Sequence, residues 1–134
     1  MQDKISTLIE KGELNKVFEL IISEFKKDTK NIRLIESLSQ TFIDNGLEKE
    51  LIDLYKTEFY YTLEPKIFDK IGDIYFGLKD YESALDSYLN YAEVTEDRLE
   101  IYNKLAKTFE MLGDEQSKQA CLEQAKLLKA GENG

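Results

Sequence analysis

Apolar residues recur along the chain at steps of three and four, the spacing that places side chains on one face of an α-helix. Ile32, Ile35, Leu38 and Phe42 form one such run. No stretch sustains the alternation of apolar and polar residues that is typical of a strand. Pro65 is the only proline among 134 residues, so little interrupts the helical pattern. The pattern predicts an all-α protein.

Short turn signals divide this pattern at a nearly constant interval. They fall at positions 12, 46, 79 and 113, which are separated by 34, 33 and 34 residues. Glycine suits the left-handed residue that ends a helix, and an aspartate such as Asp80 or Asp114 can cap the next one. We therefore expect about eight helices, at roughly 2–11, 14–27, 31–45, 48–61, 65–78, 81–94, 98–112 and 115–130.

Residues that lie one repeat period apart are similar in size and polarity. We call each such set of equivalent positions a column. Three columns consist of Leu8, Phe42, Tyr75 and Phe109; of Ile21, Tyr55, Tyr88 and Leu122; and of Val17, Leu51 and Ala84, the last ending at Lys118. A scattered apolar pattern would not keep size and aromaticity in register over four units. The chain is therefore predicted to be a single repeat domain over 1–134, with units at roughly 1–30, 31–64, 65–98 and 99–134.

The third unit has the clearest signature, with Phe68, Gly72, Tyr75, Ala84 and Tyr88 at characteristic spacings. These residues resemble the tetratricopeptide repeat family, a helix–turn–helix repeat of about 34 residues. The resemblance implies an α-solenoid of about four hairpins, whose eight antiparallel helices form a right-handed superhelix. Gly72 and Ala84 take the small-residue positions where the two helices of a hairpin come closest. In the fourth unit Lys118 replaces that small residue, so the last hairpin is expected to pack more loosely.

In this family the first helices of successive hairpins line a concave groove that holds an extended peptide or a helix. The residues expected to face such a groove here are Arg33, Glu36, Gln40, Ile43, Lys66, Asp69, Lys70, Asp73, Phe76, Asn103, Lys104 and Lys107. The alternative for each is an ordinary solvated side chain. Phe76 is the preferred anchor, because an apolar side chain in a groove lowers solubility unless a partner covers it. The mixed charges predict a protein partner that carries both signs and an apolar anchor.

Some members of the family hold the terminal carboxylate of a chaperone tail with lysine, arginine and asparagine. The corresponding positions here hold Gln2, Ser6, Ser37, Lys66 and Lys70. Only the two lysines have the required charge, and Asp69 and Asp73 lie beside them. The sequence therefore argues against a carboxylate clamp.

Composition narrows the function further. A net charge of −9 without a long basic run argues against nucleic acid as a partner and against attraction to an anionic membrane. No window approaches the roughly 18 consecutive apolar residues of a membrane span, so membrane insertion is not expected. The first residues lack the pattern of a secretory signal, and one cysteine cannot form an internal disulfide. We therefore expect a cytoplasmic protein.

Candidate chemistry is sparse. The sequence has no histidine, which is the commonest general base and metal ligand, and a single cysteine, Cys121, in a helical stretch. Asp69 and Asp73 share a helix face, but acids four residues apart recur on any acidic helix. The chain is predicted not to be an enzyme and to need no cofactor or metal.

The leading prediction is a scaffold for protein–protein interaction, either an adaptor or a co-chaperone, that binds a peptide or helical segment in the groove. The alternative is a structural assembly module that self-associates through its terminal repeats. No ninth helix covers the last hairpin, so either its polar residues cap it, which is favoured, or a second copy covers it in a homodimer. The polar residues are Gln116, Lys118, Gln119 and Gln124. Both predictions depend on the repeat architecture, and fold alone does not name a partner.

Overall fold

A computed structural model describes residues 2–27 and 33–133, and over these ranges the chain forms eight α-helices and no strand. The helices are α1 (Gln2–Glu10), α2 (Leu14–Lys27), α3 (Arg33–Asp44), α4 (Glu48–Thr62), α5 (Lys66–Gly77), α6 (Tyr81–Val94), α7 (Arg98–Leu112) and α8 (Glu115–Asn133). The predicted all-α class is confirmed. The largest difference from the predicted ends is in α8, which continues three residues beyond position 130. The predicted start of the third helix, at 31, lies outside the described residues.

The four predicted turn positions share a left-handed backbone. Gly12, Gly46 and Gly113 have φ angles of 76°, 72° and 78°, and Lys79 has 63°. Glycine adopts this conformation without a Cβ clash, whereas a residue with a side chain pays roughly 1–2 kcal/mol. The sequence period is therefore also a period of backbone conformation, kept even where glycine is replaced by Lys79.

Two helices begin with the same capping arrangement, as predicted for Asp80 and Asp114. Asp80 accepts hydrogen bonds from the backbone N–H and the hydroxyl of Ser83, at 3.2 and 2.8 Å. Asp114 accepts the same pair from Ser117, at 3.0 and 2.7 Å. The hydrogen bonds from Ser117 hold the pKa of Asp114 below its ordinary value. Each aspartate thus satisfies a helix N–H that has no partner within the helix.

The chain divides into two compact units, Met1–Glu64 and Pro65–Gly134. In the first unit α1 packs against α2 and α3, and α4 packs against α2 and α3. In the second unit α6 packs against both α5 and α7, and α7 packs against α8. The boundary coincides with the predicted limit between the second and third repeats. The assignment of 1–134 to a single domain stays a prediction.

The core of the first unit is built from the predicted columns. Val17, Ile21, Phe42 and Leu51 of these columns are fully buried, and so is Phe25, one turn after Ile21 on α2. Because these positions recur three or four residues apart on facing helices, burying them removes one continuous apolar stripe per helix from water.

The second unit depends on a close approach between α5 and α6. The ring of Tyr88 lies directly against Gly72, where a Cβ would be 2.5 Å from Cε1 and 2.6 Å from Cδ1 of Tyr88. Ala84 is fully buried one turn earlier on α6, and Ile101 and Leu105 of α7 complete the cluster. The predicted small-residue role of Gly72 is confirmed, since a larger side chain there would overlap the Tyr88 ring. Ala84 is buried, and its role at the closest approach of α5 and α6 stays a prediction.

We expect Gly72→Ala to lower the free energy of unfolding by about 1–3 kcal/mol, because the added methyl overlaps the Tyr88 ring. On an unpacked helix face the same substitution stabilises by roughly 1 kcal/mol, so the sign of the effect is informative. Urea unfolding followed by circular dichroism measures it.

Gly77→Ala is the matched control for this substitution, because Gly77 lies on the same helix with no atom within 4 Å of its Cβ position. It should be neutral or slightly stabilising. Equal effects of the two substitutions would contradict the contact between Gly72 and Tyr88.

Candidate functional site

The predicted groove residues of the first unit lie on α3. Glu36, Gln40 and Ile43 are exposed, and Ile43 is 37% accessible. The amide of Gln40 donates a hydrogen bond of 2.7 Å to Asp44. The side chain of Arg33 lies outside the described part of the structure. A binding role for these α3 residues stays a prediction.

In the second unit one lysine connects two first helices. The ammonium of Lys104 on α7 lies 2.8 Å from a carboxylate oxygen of Asp69 on α5 and 3.1 Å from one of Asp73. Glu100, one turn earlier on α7, lies 3.5 Å away. The Asp69 side chain is only 9% exposed, whereas that of Asp73 is 51% exposed. Asp69 is therefore an internal partner of Lys104, while Asp73 still faces solvent.

Tyr88 of α6 also contacts this cluster of charged residues. Its hydroxyl donates a 2.6 Å hydrogen bond to Asp73, and the Lys104 ammonium lies 5.7 Å from the centre of its ring. Burial, followed by the bond to Asp73, raises the pKa of Tyr88 far above its ordinary value of 10.0. Burial alone would lower the pKa of Lys104, but the hydrogen bonds to Asp69 and Asp73 outweigh it and raise that pKa.

Phe76 lies further along α5, on the same side. It is half-buried rather than fully open, with the Tyr81 ring edge-on at 5.1 Å and the Lys107 ammonium 5.6 Å from its ring centre. It also packs against the buried cluster that contains Ala84 and Leu105. Phe76 is thus partly exposed, with aromatic and cationic side chains beside its ring.

The contacts show that α5 and α7 run parallel, because Lys104 pairs with Asp69 and Asp73 while Lys107 pairs with Phe76. We call these five residues the α5–α7 face. The other predicted residues of these helices differ in exposure: Lys66 and Asn103 are exposed, and Lys70 is half-buried. Their binding roles, like that of the face itself, stay predictions.

Sequence reasoning placed Asp69, Asp73 and Lys104 on a shared side but missed that they bind one another. Lys104 follows the two aspartates by 35 and 31 residues, separations slightly longer and slightly shorter than the repeat period. Residues one period apart lie on adjacent equivalent helices, so opposite charges at that separation are a usable signal. Tyr88 was assigned to the core, and nothing in the helical period indicates that its hydroxyl reaches Asp73.

Reactive groups elsewhere are few within the described residues. No group of three or more Cys, Asp or Glu side chains there could hold a metal ion. Cys121 is half-buried, and burial together with the charge of Asp114 raises the pKa of its thiol, which disfavours the nucleophilic thiolate. Over the same residues, no helix is both long and apolar enough to cross a membrane.

The chain is similar in fold to several solved structures of MamA. A crystal structure of MamA superposes with a TM-score of 0.65 at 20% identity, covering 98% of this chain and 75% of that one. A structure described as MamA MSR-1 gives 0.64 at 14% identity, with 96% and 74% covered. Another crystal structure of MamA gives 0.63 at 19% identity, with 96% and 71% covered.

No protein-family model and no curated protein matches the chain. At these identities the likeness to MamA shows the fold, a tandem repeat of helical hairpins of the tetratricopeptide-like kind. The predicted repeat architecture is therefore confirmed. Membership of the tetratricopeptide family and the right-handed sense of the superhelix stay predictions.

The raised pKa values of Tyr88 and Lys104 predict a loss of stability in alkali. Both groups hold a proton more tightly in the folded protein, so their stabilising effect is complete below the unfolded values of 10.0 and 10.5. It is lost as pH rises above these values, because unfolding then releases protons that the native state holds more tightly. We expect Tyr88→Phe to cost about 1 kcal/mol at pH 8 and to flatten the decline between about pH 10 and 11.

Urea unfolding midpoints of the parent and Tyr88→Phe proteins across this pH range measure the effect. The other tyrosines and lysines contribute equally to both proteins and cancel in the difference. Parallel declines in the two proteins would show that the Tyr88 hydroxyl is not the group responsible.

Proposed function

We propose that this chain is a protein-interaction scaffold, an adaptor or co-chaperone that holds a peptide or helical segment of another protein on the α5–α7 face. The observation that most supports this is the half-buried Phe76, framed by Tyr81 and Lys107. An aromatic ring in a partly desolvated frame provides a large apolar contact with little entropy to lose on binding. The repeat fold shared with MamA is compatible with this class of function.

The cluster around Lys104 supports the proposal by fixing α5 relative to α7. Asp69, Asp73 and Lys104 form their ion pairs within the unliganded chain, and Tyr88 bonds to Asp73 from α6. A partner therefore meets helices whose spacing is already set. Preorganisation of this kind raises affinity by lowering the ordering cost of binding.

The charges left available on the face suggest the chemistry of the partner. Lys107 is exposed and makes no ion pair among the described residues, so it can accept a carboxylate beside the apolar anchor. Asp73 keeps half of its side chain exposed and can accept a cation. The partner therefore carries an apolar side chain flanked by an acidic and a basic group, in agreement with the mixed charge predicted from the sequence.

The residues outside this face take secondary roles in the proposal. Lys66, Lys70 and Asn103 extend the surface along α5 and α7, and Gln40 and Ile43 offer a separate contact on α3. Arg33 belongs with that α3 contact by its position in the sequence. A second candidate function is a self-associating assembly module, favoured by Leu122, which is 38% exposed on α8.

We expect Phe76→Ala combined with Lys70→Glu to weaken partner binding by about 30-fold or more, the effect of losing one strong anchor. The partner is first captured from native lysate with the parent chain. Its interacting segment is then synthesised, and its Kd for each variant is measured by fluorescence anisotropy.

Two further variants separate binding from folding. Lys107→Glu alters the charge beside Phe76 without removing core packing, and it should weaken binding while leaving the unfolding midpoint nearly unchanged. Lys56→Glu with Tyr60→Ala matches the double substitution on an exposed surface of α4, and it should bind like the parent. Retention of full affinity by both α5–α7 face variants would place the binding site elsewhere.

A further inference from the structure

One flank of α8 is exposed, whereas another helix packs on the equivalent flank of α6. Tyr88 of α6 is 3% exposed and packs with Ile101 and Leu105 of α7. Its equivalent one period later, Leu122, is 38% exposed. We call the residues Lys118, Leu122, Lys126 and Lys129 the α8 flank, since steps of four, four and three place them along one side of the helix.

The α8 flank carries lysine at positions where α6 carries small apolar residues. Lys118 and Lys126 stand one period after Ala84 and Ala92, so a further helix could not pack there as α7 packs on α6. Lys118 forms ion pairs with Glu110 at 3.3 Å and Glu115 at 3.8 Å, while looser packing of the last hairpin stays a prediction. Lys126 and Lys129 are exposed and form no ion pair among the described residues.

The outer face of α6 has the opposite charge. Glu82, Asp86, Leu89 and Glu93 follow steps of four, three and four, which align them on one side of the helix, away from Ala84 and Tyr88. All four are exposed, Leu89 by 41%, and their carboxylates form no ion pair within the described residues. The α6 helix carries no lysine or arginine at all. We call these four residues the α6 outer face.

The two surfaces are opposite in charge, and the order of their charged and apolar residues is complementary. Along α8 the order is lysine, leucine, lysine, lysine; taken from the end of α6 backwards, it is acid, leucine, acid, acid. We propose that the α6 outer face of one copy packs antiparallel on the α8 flank of a second copy of this chain. Leu89 then meets Leu122, with Asp86 opposite Lys126 and Glu82 opposite Lys129.

Packing of the α8 flank against α1 of another copy is disfavoured by the same reasoning. Lys4 on α1 is exposed and takes the column position that Leu38, Ile71 and Leu105 fill as buried residues. The surface around Lys4 and the α8 flank therefore both carry lysine. Like charges oppose contact between these two surfaces, whereas the α6 outer face offers the α8 flank opposite charge.

The small contact predicts a weak association that depends on salt. Two short helical surfaces with one leucine each cover less area than a stable dimer interface, and their charges lie at an exposed rim. Sedimentation equilibrium of the full chain from about 10 μM to 1 mM should show a dimer at 50 mM salt. At 500 mM salt the association constant should fall by about tenfold or more, because exposed charge pairs are screened.

Charge reversal provides the decisive comparison. Glu82→Lys with Asp86→Lys makes both surfaces basic, and Lys126→Glu with Lys129→Glu makes both acidic, so each variant alone should be monomeric. An equimolar mixture restores opposite charges at both contacts and should contain a heterodimer. Lys11→Glu with Lys49→Glu changes the net charge by the same amount as the α8 reversal, at exposed positions of the first unit, and should leave dimerisation unchanged.

A parent chain that stays monomeric at 1 mM in low salt would overturn the proposal, as would dimers that persist in either reversed variant. A mixture that fails to associate would do the same. All substitutions lie outside the α5–α7 face, so partner binding there and self-association here succeed or fail independently.

Discussion

The second unit depends on the contact between the Tyr88 ring and Gly72. The ring occupies the space that a side chain on α5 would fill, so α6 can approach α5 closely only because position 72 lacks a Cβ. The same side chain donates its hydroxyl to Asp73 and places its ring beside Lys104 of α7. One tyrosine therefore sets the relation of three helices through packing, a hydrogen bond and a cation–π contact.

The proposed functions draw on this arrangement in different ways. The α5–α7 face needs α5 and α7 at a fixed spacing, and Lys104 provides it by binding carboxylates on the other helix. The pairs also neutralise part of the charge on that face, which leaves Phe76 and Lys107 as its distinctive features. The α6 outer face, and Lys126 and Lys129 of the α8 flank, form no ion pair among the described residues, so their charges remain available to another molecule.

Much of the candidate site could be placed on the correct helices from periodicity alone. A period of 34 residues aligned α5 with α7 and put Asp69, Asp73 and Lys104 on one side. Periodicity could not show that Asp69 would be nearly buried and bound to Lys104, because it assigns a direction around one helix and not a partner on another. Phe76 was expected as an open anchor. The structure covers it partly, since Tyr81 begins the next helix close to its ring.

The helices, their turns and most residues that face the core are encoded locally in the amino-acid sequence. These follow from local rules: left-handed glycines end helices, aspartates cap them, and apolar side chains recur every three or four residues. The packing of the helices establishes which polar groups meet, which carboxylates bind Lys118, and which flank of α8 remains exposed. Those outcomes depend on distances between segments about one repeat apart, and a few ångströms there separate an ion pair from two solvated charges.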